Sequence, residues 1–432
     1  MKPELIGILG IVLLLVLLAC RVWVGAAMMI VSLVGIGLLR GAGIAFSLAG
    51  TSAFTNINSY TYTTIPMFTL MGMIIAETDI GSKLYQSMYK WIGRFRGGLA
   101  SASICASGLL GAITGSNMIG GVIMSKIALP EMRKKGYEDS FATGSIAAGA
   151  PLSVIIPPSS CFIVYGILTE TSIGKLFISG LGVGVVQIIL YIFVIWVLCK
   201  RNHNKGPAGE KYKFLAALKG TVGIVPMLLL ILVCFGGMFL GFFTATESGA
   251  IGSAGAFIIS LVTKQMTLKK FGKILKETAI NCGMIFFMLA STYMFVTFMS
   301  MSKITMLITS LLTNLDVSFV VMCIILVIFY FILGCFLPEM AMVTVTIPLI
   351  FPALKSMGWD PIWLGAFVVK LMALGSISPP VGMTSYVVSG VTGVPVQKVF
   401  KGVIPFILVD FVILGIMIAF PQVATWLPSK MF

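Results

Sequence analysis

A pair of prolines inside an apolar run, Pro157-Pro158, constrains this chain more than any other feature. The run reads Ala148-Gly149-Ala150-Pro151-Leu152-Ser153-Val154-Ile155-Ile156-Pro157-Pro158-Ser159-Ser160 and lies in a stretch long enough to cross a bilayer. It cannot be helical throughout. Neither proline carries an N–H, so the carbonyls of Ser153 and Val154 lose their helical partners, and the residue before each proline is pushed out of the α region. Carbonyls freed in this way are tolerated at membrane depth only where protein or a polar cavity receives them. A second break of the same kind stands at Ser378-Pro379-Pro380. Two broken helices in matching places point to a transport site.

Composition places those breaks in a membrane. Of 432 residues, 58% are hydrophobic and 10% charged, against about 25% charged in soluble domains. Mean hydropathy is +1.08. Apolar runs of about 18 residues or more recur from end to end, which excludes a soluble protein with one anchor. The formal charge is +15, but the Lys and Arg sit in short loops between spans. That distribution reads as topology, and no nucleic-acid partner is expected. The eight cysteines form no CxxC pair and fall mostly in apolar runs, as free, small hydrophobes do. The single histidine, His203, is in a polar loop, which argues against a His-based metal site or proton relay. Leu17-Leu18-Ala19-Cys20 faintly resembles a lipoprotein cleavage box, yet Arg21 leads directly into another apolar run, so a first span is expected there.

The spacing predicts spans at 5–20, 22–40 and 62–79, then an amphipathic piece at 80–97. Segment 98–130 is too long for one span and too short for two, and glycines interrupt it; a re-entrant hairpin follows. A broken helix at 139–168 and a span at 174–199 close the first half. A basic linker, 200–220, divides the chain. The second half repeats the order: spans at 222–242 and 247–263, a basic piece at 264–276, a span at 278–300 and a short amphipathic segment at 302–316. A hairpin at 319–352, a broken helix at 361–390 and a span at 396–420 complete it. The expected division is therefore 1–199 as first repeat, 200–220 as cytoplasmic linker and 221–432 as second repeat.

The repeat has a measurable offset. A shift of 222 residues places Pro130 on Pro352, Gly136 on Gly358, Pro157 on Pro379 and Pro158 on Pro380. A shift of 223 places Gly111 on Gly334, Leu176 on Val399 and Phe177 on Phe400. With the linker in the cytoplasm, 21 of the 29 basic residues fall on that side. Counted from there, the first hairpin enters from the cytoplasm and the second from outside. The halves are then inverted, as alternating access by this design requires.

Chemistry is expected at the hairpin turns and the breaks. The first turn is Gly115-Ser116-Asn117, and the second lies at Pro338-Glu339-Met340. Hairpin turns at mid-membrane present helix N-termini, which suit a substrate carboxylate. Hydroxyl and amide oxygens beside freed carbonyls suit Na⁺ better than a transition metal. One Na⁺ cage is expected from Gly115, Ser116 and Asn117 with Ser153, Val154 and Pro157. Its twin would use Glu339 with Gly375, Ser376, Ser378 and Gly382. Candidate substrate contacts are Ser116, Asn117, Pro158, Ser159, Glu339, Lys370, Pro380 and Thr384. The competing reading is that Gly, Ser and Asn only permit close helix packing. Lys370 could face the substrate or pair structurally, and Asp410 in the last span reads as structural. Thr244-Ala245-Thr246-Glu247 reads first as a helix cap.

These fragments, in order, resemble the large membrane subunit of the tripartite ATP-independent periplasmic (TRAP) transporters. They are Gly111-Ala112-Ile113-Thr114-Gly115-Ser116, Ile127-Ala128-Leu129-Pro130-Glu131-Met132, Ile155-Ile156-Pro157-Pro158-Ser159, Ser172-Ile173-Gly174-Lys175-Leu176-Phe177, Thr244-Ala245-Thr246-Glu247 and Ser378-Pro379-Pro380-Val381-Gly382. The resemblance implies an all-α polytopic protein of the bacterial inner membrane, working as an elevator in which hairpins and broken helices move against a scaffold. It implies Na⁺ as coupling ion, no other cofactor, and import of a small organic acid delivered by a periplasmic binding protein. It also implies a small membrane subunit as partner. Asn117 stands where a second serine is expected, and Lys370 departs from the pattern too. The alternative is a stand-alone carboxylate or ion transporter of related inverted-repeat design. An enzyme is not expected, because the chain has no HExxH, no nucleotide loop and no intramembrane His or Cys cluster.

Overall fold

The computed structural model describes residues 2–115, 117–202, 205–315 and 317–431, with the side chains of 52, 53, 56 and 112–114 also left aside. Ser116 and His203 lie outside the described residues. The described chain is helical, without a strand. Seven of its helices are long and apolar enough to cross a membrane, or eight when one bent pair is counted as a span.

Two helices, α1 (Pro3–Ala19) and α2 (Val24–Arg40), lead to α3 (Ala42–Ile57), α4 (Thr64–Ala76) and α5 (Ile80–Ile92). The first hairpin is α6 (Gly98–Thr114) with α7 (Asn117–Lys134). The first interrupted segment runs α8 (Asp139–Gly149), the single turn α9 (Leu152–Ile155) and α10 (Ser160–Thr169), before the long span α11 (Ile173–Arg201). Beyond the linker, α12 (Phe214–Val222) and α13 (Val225–Phe239) are bent by 67° to each other. Then come α14 (Ala245–Val262), α15 (Leu268–Met301) and α16 (Ile304–Asn314). The second hairpin is α17 (Phe319–Phe336) with α18 (Glu339–Ser356). The second interrupted segment is α19 (Pro361–Ile377) with α20 (Met383–Thr392), followed by the span α21 (Val396–Ala419) and the turn α22 (Gln422–Thr425).

Both hairpins turn at the expected residues. Gly115 ends α6 with φ +57°, a left-handed conformation that glycine adopts without steric cost. Pro338, fixed near φ −62°, is the extended residue that starts α18. The interruptions also fall at the prolines, and the first is double. Helix α8 stops at Gly149 before Pro151, and the chain straightens again over residues 156–159.

Two expectations change. No span is predicted over 41–61, yet α3 occupies most of it; its glycines, serines and threonines lower the hydropathy below what a span displays. From Leu268, capped by Thr267, the basic piece and the span 278–300 are one helix, α15, because no proline separates them.

The helices pack in two groups. In one, α6 lies on α9, α7 on α8 and α20, α17 on α19, and α18 on α10. Span α21 joins this group along α8. At that crossing the backbones of Gly144 and Gly402 touch, and a Cβ on either would collide with the other chain segment. In the other group α15 packs on α2, α3 and α4, and α14 packs on α4 and α13. Thr244 caps α14 by a reciprocal capping box with Glu247, as its sequence suggests. Gly402→Val is expected to destabilise the subunit by about 3 kcal/mol or more, because backbone cannot yield as a side chain can. Thermal unfolding of the purified protein measures this.

Candidate functional site

The second helix of each hairpin begins with a polar residue, Asn117 on α7 and Glu339 on α18. These two side chains meet: the Asn117 amide donates to a Glu339 carboxylate oxygen. The same amide nitrogen donates to the Thr384 hydroxyl of α20 at 3.1 Å. Thr384 in turn donates to the Ser376 hydroxyl at 3.4 Å, and Ser376 also faces the Glu339 carboxylate. All four residues are buried. The result is one polar cluster at the meeting point of both hairpin tips and the second break.

Asn117 and Glu339 are 222 residues apart, one of the two offsets expected from the sequence. A second contact has the same character. Gln187 of α11 donates to Asp410 of α21 at 3.4 Å, across 223 residues. In each contact the first half supplies an amide and the second a carboxylate.

A cavity of about 320 Å³ opens beside the tip cluster. Gly115, Asn117, Glu339 and Met340 bring it the two tips, and Val154 and Pro158 the first break. Its other wall comes from the second helix group, including Trp23, Phe68 and Thr69 with Asn281 and Met288 of α15. The cavity therefore lies on the seam between the two groups. Its volume falls in the range of small-molecule sites, which run from about 300 to 1,000 Å³.

The expected cages are rearranged. The sequence separates them into two sites, each within one half; the tips instead join Asn117 to Glu339 and Thr384. Gly115, Asn117, Val154, Pro158 and Glu339 share the cavity, while Ser376 and Thr384 stand one bond behind it. Pro157 does not join them. With Ile156 it turns to an apolar groove between α6, α11 and α13. The Ser153 hydroxyl is used by the carbonyl of Ala150 at 2.8 Å. Ser159 caps α10 by accepting from the Phe162 N–H at 3.4 Å, and Ser378 donates to the carbonyl of Leu374 at 2.7 Å. Gly375 has a packing task, since its Cα presses on that of Gly334. Gly382 opens α20 at φ +41°. Pro380 is exposed and makes no part of the cavity.

Lys370 is also absent from the cavity. Its ammonium donates to Asp410 at 2.5 Å, with both side chains buried. Tyr191 donates to the same carboxylate oxygen at 2.7 Å. Of its two sequence readings, substrate contact and structural pair, the geometry gives the second, because desolvation makes an unpaired ammonium far costlier than a paired one.

Sequence reasoning missed the wall contributed by α2, α4 and α15. Asn281 carried a usable signal, being a carboxamide in an otherwise apolar span. Trp23, Phe68 and Met288 carried none, since such residues pack membrane helices everywhere.

Two hairpin tips meeting at a buried polar cluster, beside a cavity on the seam between two helix groups, define a multi-span membrane transporter. Its fold is similar to that of the YdaH transporter of Alcanivorax borkumensis, a crystal structure with an unusual topology, at a TM-score of 0.59 and 13% identity over 98% of this chain and 100% of that one. The chain belongs to the tripartite ATP-independent periplasmic transporter family, as its DctM component, and the family's model matches residues 11–423. It is 31% identical to the C4-dicarboxylate TRAP transporter large permease protein of Pseudomonas aeruginosa, over 87% of this chain and 88% of that one. It is 27% identical to the sialic acid TRAP transporter large permease protein of Vibrio cholerae, over 94% of each. The chain is thus the large subunit of a TRAP transporter, an integral protein of the inner membrane, and its relatives are permeases rather than enzymes.

Proposed function

We propose that this subunit imports a small organic acid by coupling to Na⁺, receiving the acid from a periplasmic binding protein and working with a small membrane subunit. The observation that carries the reading is the junction of Asn117, Glu339 and Thr384 at the wall of the seam cavity. Carboxylate, hydroxyl and amide oxygens are the donors a hard cation takes. Among the described residues, the two bonds of Asn117 use only its amide nitrogen, and on this reading its carbonyl oxygen faces an ion. The N-terminal turns of α7 and α10 also border the cavity and place partial positive charge beside it.

The packing supports an elevator movement. Hairpins and interrupted helices grip one another, and they form one side of the cavity while α2, α4 and α15 form the other. Sliding the first group along the second carries the tip cluster across the membrane without dismantling it. On this reading the two halves are inverted repeats joined by a cytoplasmic linker. The relatives that transport C4-dicarboxylates and sialic acid support an organic acid as cargo.

Uptake into proteoliposomes tests the proposal. With the small subunit present, labelled organic acid should accumulate only with an inward Na⁺ gradient and with the binding protein outside. Accumulation by this chain alone at the same rate would establish the stand-alone transporter instead.

A further inference from the structure

The cavity at the tips has a charge pattern that its size does not require. Among its described lining residues there is one carboxylate, Glu339, and no Lys, Arg or His. A second cavity, of about 800 Å³, opens at the far end of the same seam. It is lined by hydroxyls including Tyr62, Thr64, Thr246 and Tyr293 and by one carboxylate, Glu170, again with no basic residue among the described ones. The Tyr62–Tyr293 bond of 2.6 Å and the Thr64–Thr246 bond of 2.7 Å stand at its inner wall. The chain has 29 Lys and Arg, and none of them is among the described residues of either cavity.

We infer that the transported acid is a zwitterion, with an ammonium or amidinium group that Glu339 receives in the tip cavity and Glu170 meets on the way in. This rests on the organic-acid reading above and narrows it. A Na⁺ held at Glu339 cancels that carboxylate once. A dicarboxylate brings two more negative charges and finds no cation among the described side chains of either cavity. A zwitterion adds no net charge. Its carboxylate can lie at the N-terminal turn of α10, where Ser160 and Cys161 line the cavity, and its cation near Glu339. The α18 N-terminus is less open to a substrate carboxylate, because Glu339 bonds to its own backbone N–H there. Trp23 and Phe68 line the opposite wall, and aromatic rings attract a cation at their faces and not an anion.

Thermal shift of the purified complex of large and small subunits, with Na⁺ titrated first and organic probes added at saturating Na⁺, tests this. Glycine betaine and β-alanine should stabilise the complex at concentrations at least tenfold below succinate. Glu339→Gln should abolish that preference, and Glu339→Asp, which keeps the charge, should retain it. Succinate acting at equal or lower concentration overturns the inference, as does an unchanged preference in Glu339→Gln or no response to either zwitterion. Loss of the Na⁺ response with the zwitterion preference intact would instead overturn Na⁺ coupling and support the inference.

Discussion

Replacing Lys370 by alanine is expected to cost about 3–5 kcal/mol, the penalty for leaving one member of a buried ion pair without its partner. Asp410 then keeps Tyr191 and the long bond from Gln187 on one oxygen. Its other oxygen has no described partner even in the intact protein. Asp410→Ala should be at least as damaging, since it strands an ammonium among α11, α19 and α21. The informative control is the double change Lys370→Met with Asp410→Leu. It removes both charges and fills their volume, so it should recover most of the loss; with the single changes Lys370→Met and Asp410→Leu it closes a double-mutant cycle that shows the coupling. Melting temperatures of the purified protein measure them all. Equal losses that simply add would show that the pair is not coupled.

Glu339→Gln is the second change with a large expected effect, on transport rather than stability. It keeps the shape of the side chain and an oxygen to accept from Asn117, while removing the charge. The apparent affinity for Na⁺ should fall by one to two powers of ten, the equivalent of about 1.4–3 kcal/mol. Asn117→Ala should act on the same quantity by parting the two hairpin tips. Because Asn117 bonds both Glu339 and Thr384, the two substitutions share an interaction and their effects should combine to less than their sum. Uptake rate against Na⁺ concentration reads both.

The parts of the fold that local stereochemistry decides were legible in the sequence. Gly115 and Pro338 mark hairpin turns because few residues other than glycine take the first conformation and proline fixes the second. The breaks at Pro157 and Pro379 follow from missing N–H groups alone, whereas the earlier stop of α8 before Pro151 was not read. The sequence offset of 222 or 223 sets Glu339 against Asn117 or Ser116, and the Asn117 side chain bonds to it. What could not be read is which way a side chain turns once the backbone leaves the helix. Pro157 and Pro158 are adjacent, yet one faces an apolar groove and the other the cavity. Lys370 meets Asp410 rather than substrate because α21 runs beside α19, a choice made by packing between separate segments of the chain. The wall from α2, α4 and α15 was hidden for the same reason. Helix α3 was hidden by composition, its small and polar residues reading as a loop.

Equilibrium binding of ²²Na⁺ to the purified subunit tests the central claim most directly, since it needs neither the substrate nor the partners. Wild-type protein should bind Na⁺ saturably, and the combined change Asn117→Ala with Glu339→Gln should weaken that binding at least tenfold while leaving the melting temperature of the Na⁺-free protein within a few degrees. Undiminished binding in the double variant, or no saturable binding in the wild type, would contradict it.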